Sequence, residues 1–369
     1  VDVDDPINSA ILTVSEDQIQ GFPVDPFGRI AELSGVDVGT VIERIRAMMA
    51  AGTIRRVRQT LMATNLAKGA LIAWQVPQDR LDEAFTFLFE RDPFSGHVVI
   101  RSTDATTIGS SFRLWTTLKV PQGFSMEKHC RWLQEKIGAV NYRVMPAIQM
   151  FALGVGHMRR RNLEPGSRAD VPAEVHATGI VELSDLDWQV LIPLKREFEI
   201  TEIVRDPWSA RAQEAGVDIE TFCRVGRSLN ERQVIGRFST FLEHVKPTAG
   251  DMRVTRYNAL FHWAVPAGRE IEAGQEVGRH HIMTHAYWRD GGPEFGGVNI
   301  MGVAHGLEKD SIMAHKSAID AHLIERGIDV TYSNVFWGGR SEIKPSEISP
   351  VAYIEFCAAW DLDPNSMSE

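Results

Sequence analysis

The sequence predicts an α+β chain built as a tandem repeat, each copy a winged helix-turn-helix followed by a ferredoxin-like βαββαβ plait. Three observations predict it. A stretch of helical periodicity ending in a short extended segment begins near residue 26 and returns near residue 207. Each stretch is followed by a strand ending in Val-Pro, GALIAWQVP (69–77) and YNALFHWAVP (257–266). Each copy then carries a strand with a histidine four residues before an arginine, GHVVIRS (96–102) and THAYWRD (284–290). Internal similarity at a long period is the signature of a duplicated architecture.

In the first copy, PFGRIAELSGVDVGTVIERIRAMMAAGTIRRVRQTLM places Ile30 and Leu33, then Val41, Ile42, Ile45, Met48 and Met49, at helical spacing. Gly35 punctuates the two helices and Gly52 precedes the extended wing. The second copy repeats this as PWSARAQEAGVDIETFCRVGRSLNERQVIGRFSTFL, where AGVDIET answers SGVDVGT and VIGRFSTFL answers TIRRVRQTL. After the first Val-Pro strand come a helix (QDRLDEAFTFLFER), strands GHVVIRS and SFRLWTTLKVP, a helix (SMEKHCRWLQEKIG) and a closing strand, YRVMPAIQMFALGV. That order is the plait. The second copy keeps it with MTHAYWRD, GGVNIMGVAH, DSIMAHKSAIDAHLIERG and VTYSNVFWGG, but its first helix, GREIEAGQEVGRHH, holds three glycines and reads as a loop. The expected divisions are a winged helix over 1–66, a plait over 67–158, a polar Pro/Gly linker over 159–179, a second winged helix over 180–246, a second plait over 247–340, and an extension over 341–369. The extension is expected to pack back on the body, with its last residues disordered.

Composition bounds the function classes. The 369 residues are 44% hydrophobic and 24% charged, which fits a globular chain with a sizeable core. A net charge of −10 gives no general attraction to nucleic acid. No apolar run reaches the roughly 20 residues of a membrane span, and the acidic start, VDVDDPINSA, lacks a leader pattern. Cys130, Cys223 and Cys357 are scattered and lack CxxC spacing, which argues against disulfide scaffolds, zinc ribbons and covalent haem, and for a cytoplasmic chain. Neither GxxxxGK[ST] nor GxGxxG is present, so no nucleotide cofactor is expected. Helix-turn-helix units commonly read DNA. Here, however, the second helices, VGTVIERIRAMM and IETFCRVGRSLN, mix acidic with basic residues in an acidic chain.

Strand side chains alternate faces, so His285, Tyr287 and Arg289 share one face, as do His97, Val99 and Arg101. An imidazole and a guanidinium about 13 Å apart along such a row could hold a flat, carboxylate-rimmed ligand. The second copy is also rich in histidine, at 262, 280, 281, 285, 305, 315 and 322. His315 and His322 are two helical turns apart and His280 and His281 diverge, which does not favour a single-metal cluster.

Winged helix followed by plait resembles the Lrp/AsnC architecture. IRRVRQTLM, VIGRFSTFLEH, the Val-Pro strands, the His-x-x-x-Arg strands, FRLWTTLKVP and VMPAIQMFALGV resemble one branch of it, the sirohaem decarboxylases. The resemblance covers residues 10–158 and about 180–305, and it implies a fusion of two related subunits. It implies removal of CO2 from the acetate side chains of sirohaem, giving didecarboxysirohaem on a route to haem or d-type haem. It also implies sirohaem or haem as the bound tetrapyrrole, with His285, Tyr287, Arg289 and His97 in the catalytic set. Arg101, Arg55, Arg56, Arg237 and His244 match its substrate-binding positions, and His285 its iron-ligand position. Pairing as a homodimer, or with related subunits, is part of the same expectation. Val99 stands where the second copy has Tyr287, so the copies are not equivalent. A haem-binding protein on the same scaffold, for electron transfer, sensing or delivery, and a transcription regulator stay open as other readings.

Overall fold

A computed structural model describes residues 2–62, 65–154, 156–160, 162–177, 179–243 and 255–369. The first copy opens with α1 (Pro6–Ser15), β1 (Ile19–Gln20), α2 (Pro26–Ser34), α3 (Val38–Ala50) and β2 (Ile54–Leu61). It continues through β3 (Lys68–Gln75), α4 (Leu81–Glu90), β4 (Ser95–Ser102), β5 (Leu114–Val120), α5 (Met126–Ile137), β6 (Asn141–Pro146) and β7 (Gln149–Leu153). The connecting segment holds β8 (His176–Ala177). The second copy comprises α6 (Asp185–Lys195), α7 (Trp208–Glu214), α8 (Ile219–Glu231) and β9 (Ile235–Leu242). After these come β10 (Tyr257–Ala264), α9 (Glu270–Gly278), β11 (Met283–Trp288), β12 (Ile300–Gly306), α10 (Lys309–Glu325) and β13 (Tyr332–Ile343), then α11 (Pro350–Ala359) and α12 (Pro364–Met367).

The chain divides into two compact units, one holding residues 1–62, 154–162 and 181–256, the other 63–153, 163–180 and 257–369. In the first unit, SGVD and AGVD make the same turn. Gly35 and Gly216 take positive φ (71° and 68°), which a side chain would resist, and so end α2 and close α7. Asp37 and Asp218 then cap α3 and α8 by accepting hydrogen bonds from the Thr40 and Thr221 amides, at 3.1 and 2.7 Å. Strands β2 and β9 pair antiparallel, with β1 on the far side of β9. Aromatic packing joins the copies: Phe27 meets Phe238 edge-on at 5.5 Å, and Trp208 meets Phe22 at 5.4 Å.

The second unit is one ten-stranded sheet in the order β6-β3-β5-β4-β13-β10-β12-β11-β7-β8. Each copy contributes four strands in the order fourth, first, third, second, and the two sets join where β4 pairs with β13. The segment read as one closing strand is two. A break after Pro146 releases β7, which pairs with β11 in the second copy instead of extending β6. The glycine-rich stretch expected as a loop is helix α9, because its glycines serve packing. Gly274 and Gly278 lie directly against Phe151 of β7, where a side chain would collide.

Three cores fill this unit. One lies between the first copy's sheet and α4 and α5, and is completed by Tyr353, Phe356 and Cys357 of α11. The end of the chain, expected to be disordered, is pinned there: Met367 is buried and its carbonyl accepts from the Ser125 amide at 2.8 Å. A second core lies beneath α9 and α10. The third, with Val99, Trp115, Met145, Leu260, Met301 and Phe336, joins the helix-free faces of both copies. All three cysteines are free and buried, and among the described residues no helix is long and apolar enough to cross a membrane.

Candidate functional site

Ala286 packs on the helix side of β11, so His285, Tyr287 and Arg289 face the other way, towards the core shared by the two copies. They form a stack. The His285 and Tyr287 rings lie 6.1 Å apart at 18°, and the Arg289 guanidinium sits 4.4 Å from the Tyr287 ring centre. Burial raises the Tyr287 phenol above its ordinary value, with Arg289 opposing, so the phenol stays protonated. Burial lowers Arg289, which donates to the Met145 carbonyl of β6 at 2.5 Å. Strands β6 and β11 stand seven places apart in the sheet, about 34 Å if it were flat. The sheet therefore curls until β6 approaches β11, and Arg289 joins the two, beside an Arg143–Asp290 ion pair at 2.8 Å.

The first copy's row differs. Val99 is buried in the shared core, and His97 Nε2 lies 2.8 Å from the Ser341 hydroxyl. Arg101 is buried and donates to Asn258 Oδ1 at 3.0 Å and to the Phe336 carbonyl at 3.2 Å. Burial lowers it to about 9.

Beyond Arg101, the contacts continue across the sheet. Asn258 Nδ2 lies 2.9 Å from His305 Nε2, His305 Nδ1 is 3.5 Å from Thr284 Oγ1, and His285 Nδ1 is 3.1 Å from the same oxygen. The Thr284 hydroxyl donates to the Val303 carbonyl at 3.0 Å. The sequence singles out neither Asn258 nor Thr284, and gives His305 only as one histidine among many. Their sole signal is register: Asn258 pairs with His305, and Met283 and His285 flank a bulge against β12.

The wing arginines belong to the other unit. Arg56 Nε pairs with Glu197 at 3.1 Å, and Arg237 Nε donates to the Glu16 carbonyl at 3.3 Å. Arg58 is lowered to about 10 by burial, with Glu197 opposing and Arg55, Arg56 and Arg237 adding like charge. Glu197 thus sits beside Arg56 and Arg58, within a gathering of guanidiniums that also includes Arg55 and Arg237. His244 lies outside the described residues.

The remaining histidines scatter. His322 Nε2 meets Glu276 at 2.5 Å, His281 meets the Ser167 hydroxyl at 2.9 Å, and His315 meets the Leu163 carbonyl at 3.1 Å. Among the described residues no three His, Cys, Asp or Glu side chains are grouped to hold a metal ion.

A family model, the AsnC-like ligand binding domain, matches residues 66–152. The NirH subunit of a sirohaem decarboxylase from Stutzerimonas stutzeri is 26% identical over 136 residues, 35% of this chain and 75% of that one. A sirohaem decarboxylase beta subunit from Oleidesulfovibrio alaskensis is 30% identical over 83 residues, 22% of this chain and about half (49%) of that subunit. The crystal structure of the sirohaem decarboxylase NirDL superposes with a TM-score of 0.66 at 19% identity, covering 97% of this chain and 100% of that one. Its co-complex with an iron-uroporphyrin III analogue gives 0.65 at 19% identity, covering 96% and 99%. At that identity the likeness is one of fold. The class is thus an α+β protein with AsnC-like domains. Within it, the chain shares the fold of the sirohaem decarboxylase NirDL over 97% of its length.

Proposed function

We propose that the chain, two copies of a winged helix and plait, binds sirohaem and removes CO2 from its acetate side chains. The observation that carries this reading is the His285–Tyr287–Arg289 stack, which sets an imidazole beside a protonated phenol on a β-strand. Loss of CO2 leaves the bonding electron pair on the methylene carbon, and a proton must arrive there to complete a methyl group. A phenol kept protonated by burial is a suitable donor, or a hydrogen-bond partner for the departing carboxylate. The donor set also fits an iron tetrapyrrole, since an imidazole whose Nδ1 donates keeps a lone pair on Nε2 for iron. Guanidiniums gathered at Arg55, Arg56, Arg58 and Arg237 suit a ligand with several carboxylates. The solved relative with an iron-uroporphyrin III analogue supports a tetrapyrrole as ligand.

Anaerobic incubation with sirohaem followed by mass analysis tests the reading: the product is expected to be lighter by whole CO2 units. Tyr287→Phe is expected to slow the loss by about a hundredfold, and His285→Ala to perturb the iron spectrum. Sirohaem that is bound but recovered unchanged would replace decarboxylation with the second reading, a haem-binding protein. That reading is favoured by Val99 where the second copy has a tyrosine. The fusion supplies both halves in one chain, and a homodimer is the expected state, to be read from the mass in solution.

A further inference from the structure

Hydrogen-bond roles around His285 follow from which groups can only donate. Arginine has no acceptor, so the Asn258 oxygen must face Arg101 and its amide nitrogen must face His305. That nitrogen is a donor, so His305 accepts on Nε2 and, when neutral, carries its proton on Nδ1, towards Thr284. The single Thr284 proton is directed at the Val303 carbonyl. The Thr284 oxygen is then an acceptor for its other neighbours, and His285 Nδ1 must donate to it.

We propose that Thr284 is a positioning residue that holds His285 in its Nδ1–H tautomer, seated by Val303 and by a row running through His305 and Asn258 to Arg101. Neutral His285 then carries its lone pair on Nε2, which makes it an iron ligand or a proton acceptor and removes it as the resting proton donor. Arg101 of the first copy, placed on the substrate by the family resemblance, is instead used within the protein to orient Asn258. The two His-x-x-x-Arg strands are thereby coupled, the arginine of one copy acting through the sheet on the histidine of the other. The tautomer stands on these contacts alone. Its consequence for the ligand rests on the function proposed above.

The test is 15N NMR of the imidazoles in full-length protein labelled at histidine, without ligand and at a pH where His285 is neutral. The expected spectrum shows His285 protonated at Nδ1 in the wild type and in Thr284→Ser, which keeps the hydroxyl. Thr284→Val, of nearly the same shape, is expected to shift the population to the Nε2–H form. His305→Leu is expected to shift it in the same direction, less far. An Nε2–H signal in the wild type, or an unchanged one in Thr284→Val, would overturn the assignment, and an unchanged His305→Leu would end the row at Thr284. Ferric haem titration separates this from the function. Affinity in Thr284→Val is expected to fall by about tenfold or more. Equal affinity alongside a shifted tautomer would keep the positioning role and reject His285 as the iron ligand.

Discussion

His262 shows how far a side chain's character depends on what surrounds it. It lies on the helix-free face of β10, fully buried, with its ring 4.9 Å from that of Phe336 and 5.9 Å from those of Trp115 and Phe295. Neither ring nitrogen has a hydrogen-bond partner. Burial, helped by nearby Arg101, lowers its pKa to about 3, so it is neutral. A buried polar group without partners costs about 1–3 kcal/mol, whereas an apolar group of similar shape carries no such penalty. His262→Phe is therefore expected to leave stability unchanged or raise it by about 1 kcal/mol, read from urea unfolding at neutral pH. A loss larger than that would mean that the nitrogens are satisfied in solution. The sequence places both His262 and His285 on strands and sets His285 apart only by its His-x-x-x-Arg pattern. Only the packing separates one buried without partners from one tied to a threonine.

At the scale of an element, α9 is the instructive case. By propensity GREIEAGQEVGRHH is a poor helix, since each glycine costs about 1 kcal/mol relative to alanine. The helix forms because Gly274 and Gly278 bring its backbone down onto Phe151, which is itself buried. Gly274→Ala improves helix propensity yet is expected to destabilise the protein by about 1–3 kcal/mol through overpacking. Phe151→Leu in the same chain is expected to recover much of that loss in urea unfolding. Stabilisation by the single alanine would show that the close approach is not needed. The turns SGVD and AGVD are the opposite case. A glycine at positive φ and an aspartate cap act within a few residues, so their meaning is plain without the rest of the fold. The split between β6 and β7 is less legible, because β7 is defined by a partner more than a hundred residues later in the chain.

Over the whole molecule, the two units carry opposite pH dependences. In the winged-helix unit, burial raises Glu16 to about 8 from 4.5, despite the Met158 amide donating to it at 2.8 Å. Between those values the unfolded chain binds fewer protons than the folded one, so this unit weakens as pH rises from 4.5 to about 8. In the plait unit, His262 and His280 are both lowered to about 3 from 6.5, chiefly by burial. There the unfolded chain binds more protons between the two values, so this unit weakens as pH falls from 6.5 towards 3. Hydrogen exchange followed for each unit across pH should show the two trends crossing. Glu16→Gln is expected to flatten the winged-helix trend and leave the plait trend alone. A variant that still tracks the wild type would mean that Glu16 is ionised in the fold.

The sequence by itself determined most of the helices and strands, the turn chemistry of SGVD and AGVD and the two strands whose histidine and arginine share a face. Each of these is set by residues close together in the chain, through periodicity, caps and turn glycines. Tertiary structure alone decided that the ten strands form one sheet curled until Arg289 meets β6, and that α11 completes the first copy's core. It also decided that Arg101 faces Asn258 and that a row of hydrogen bonds ends on His285. The reason is physical. Hydrogen-bond partners and burial depend on strands brought side by side from distant parts of the chain, and local patterns carry no record of which strands those will be.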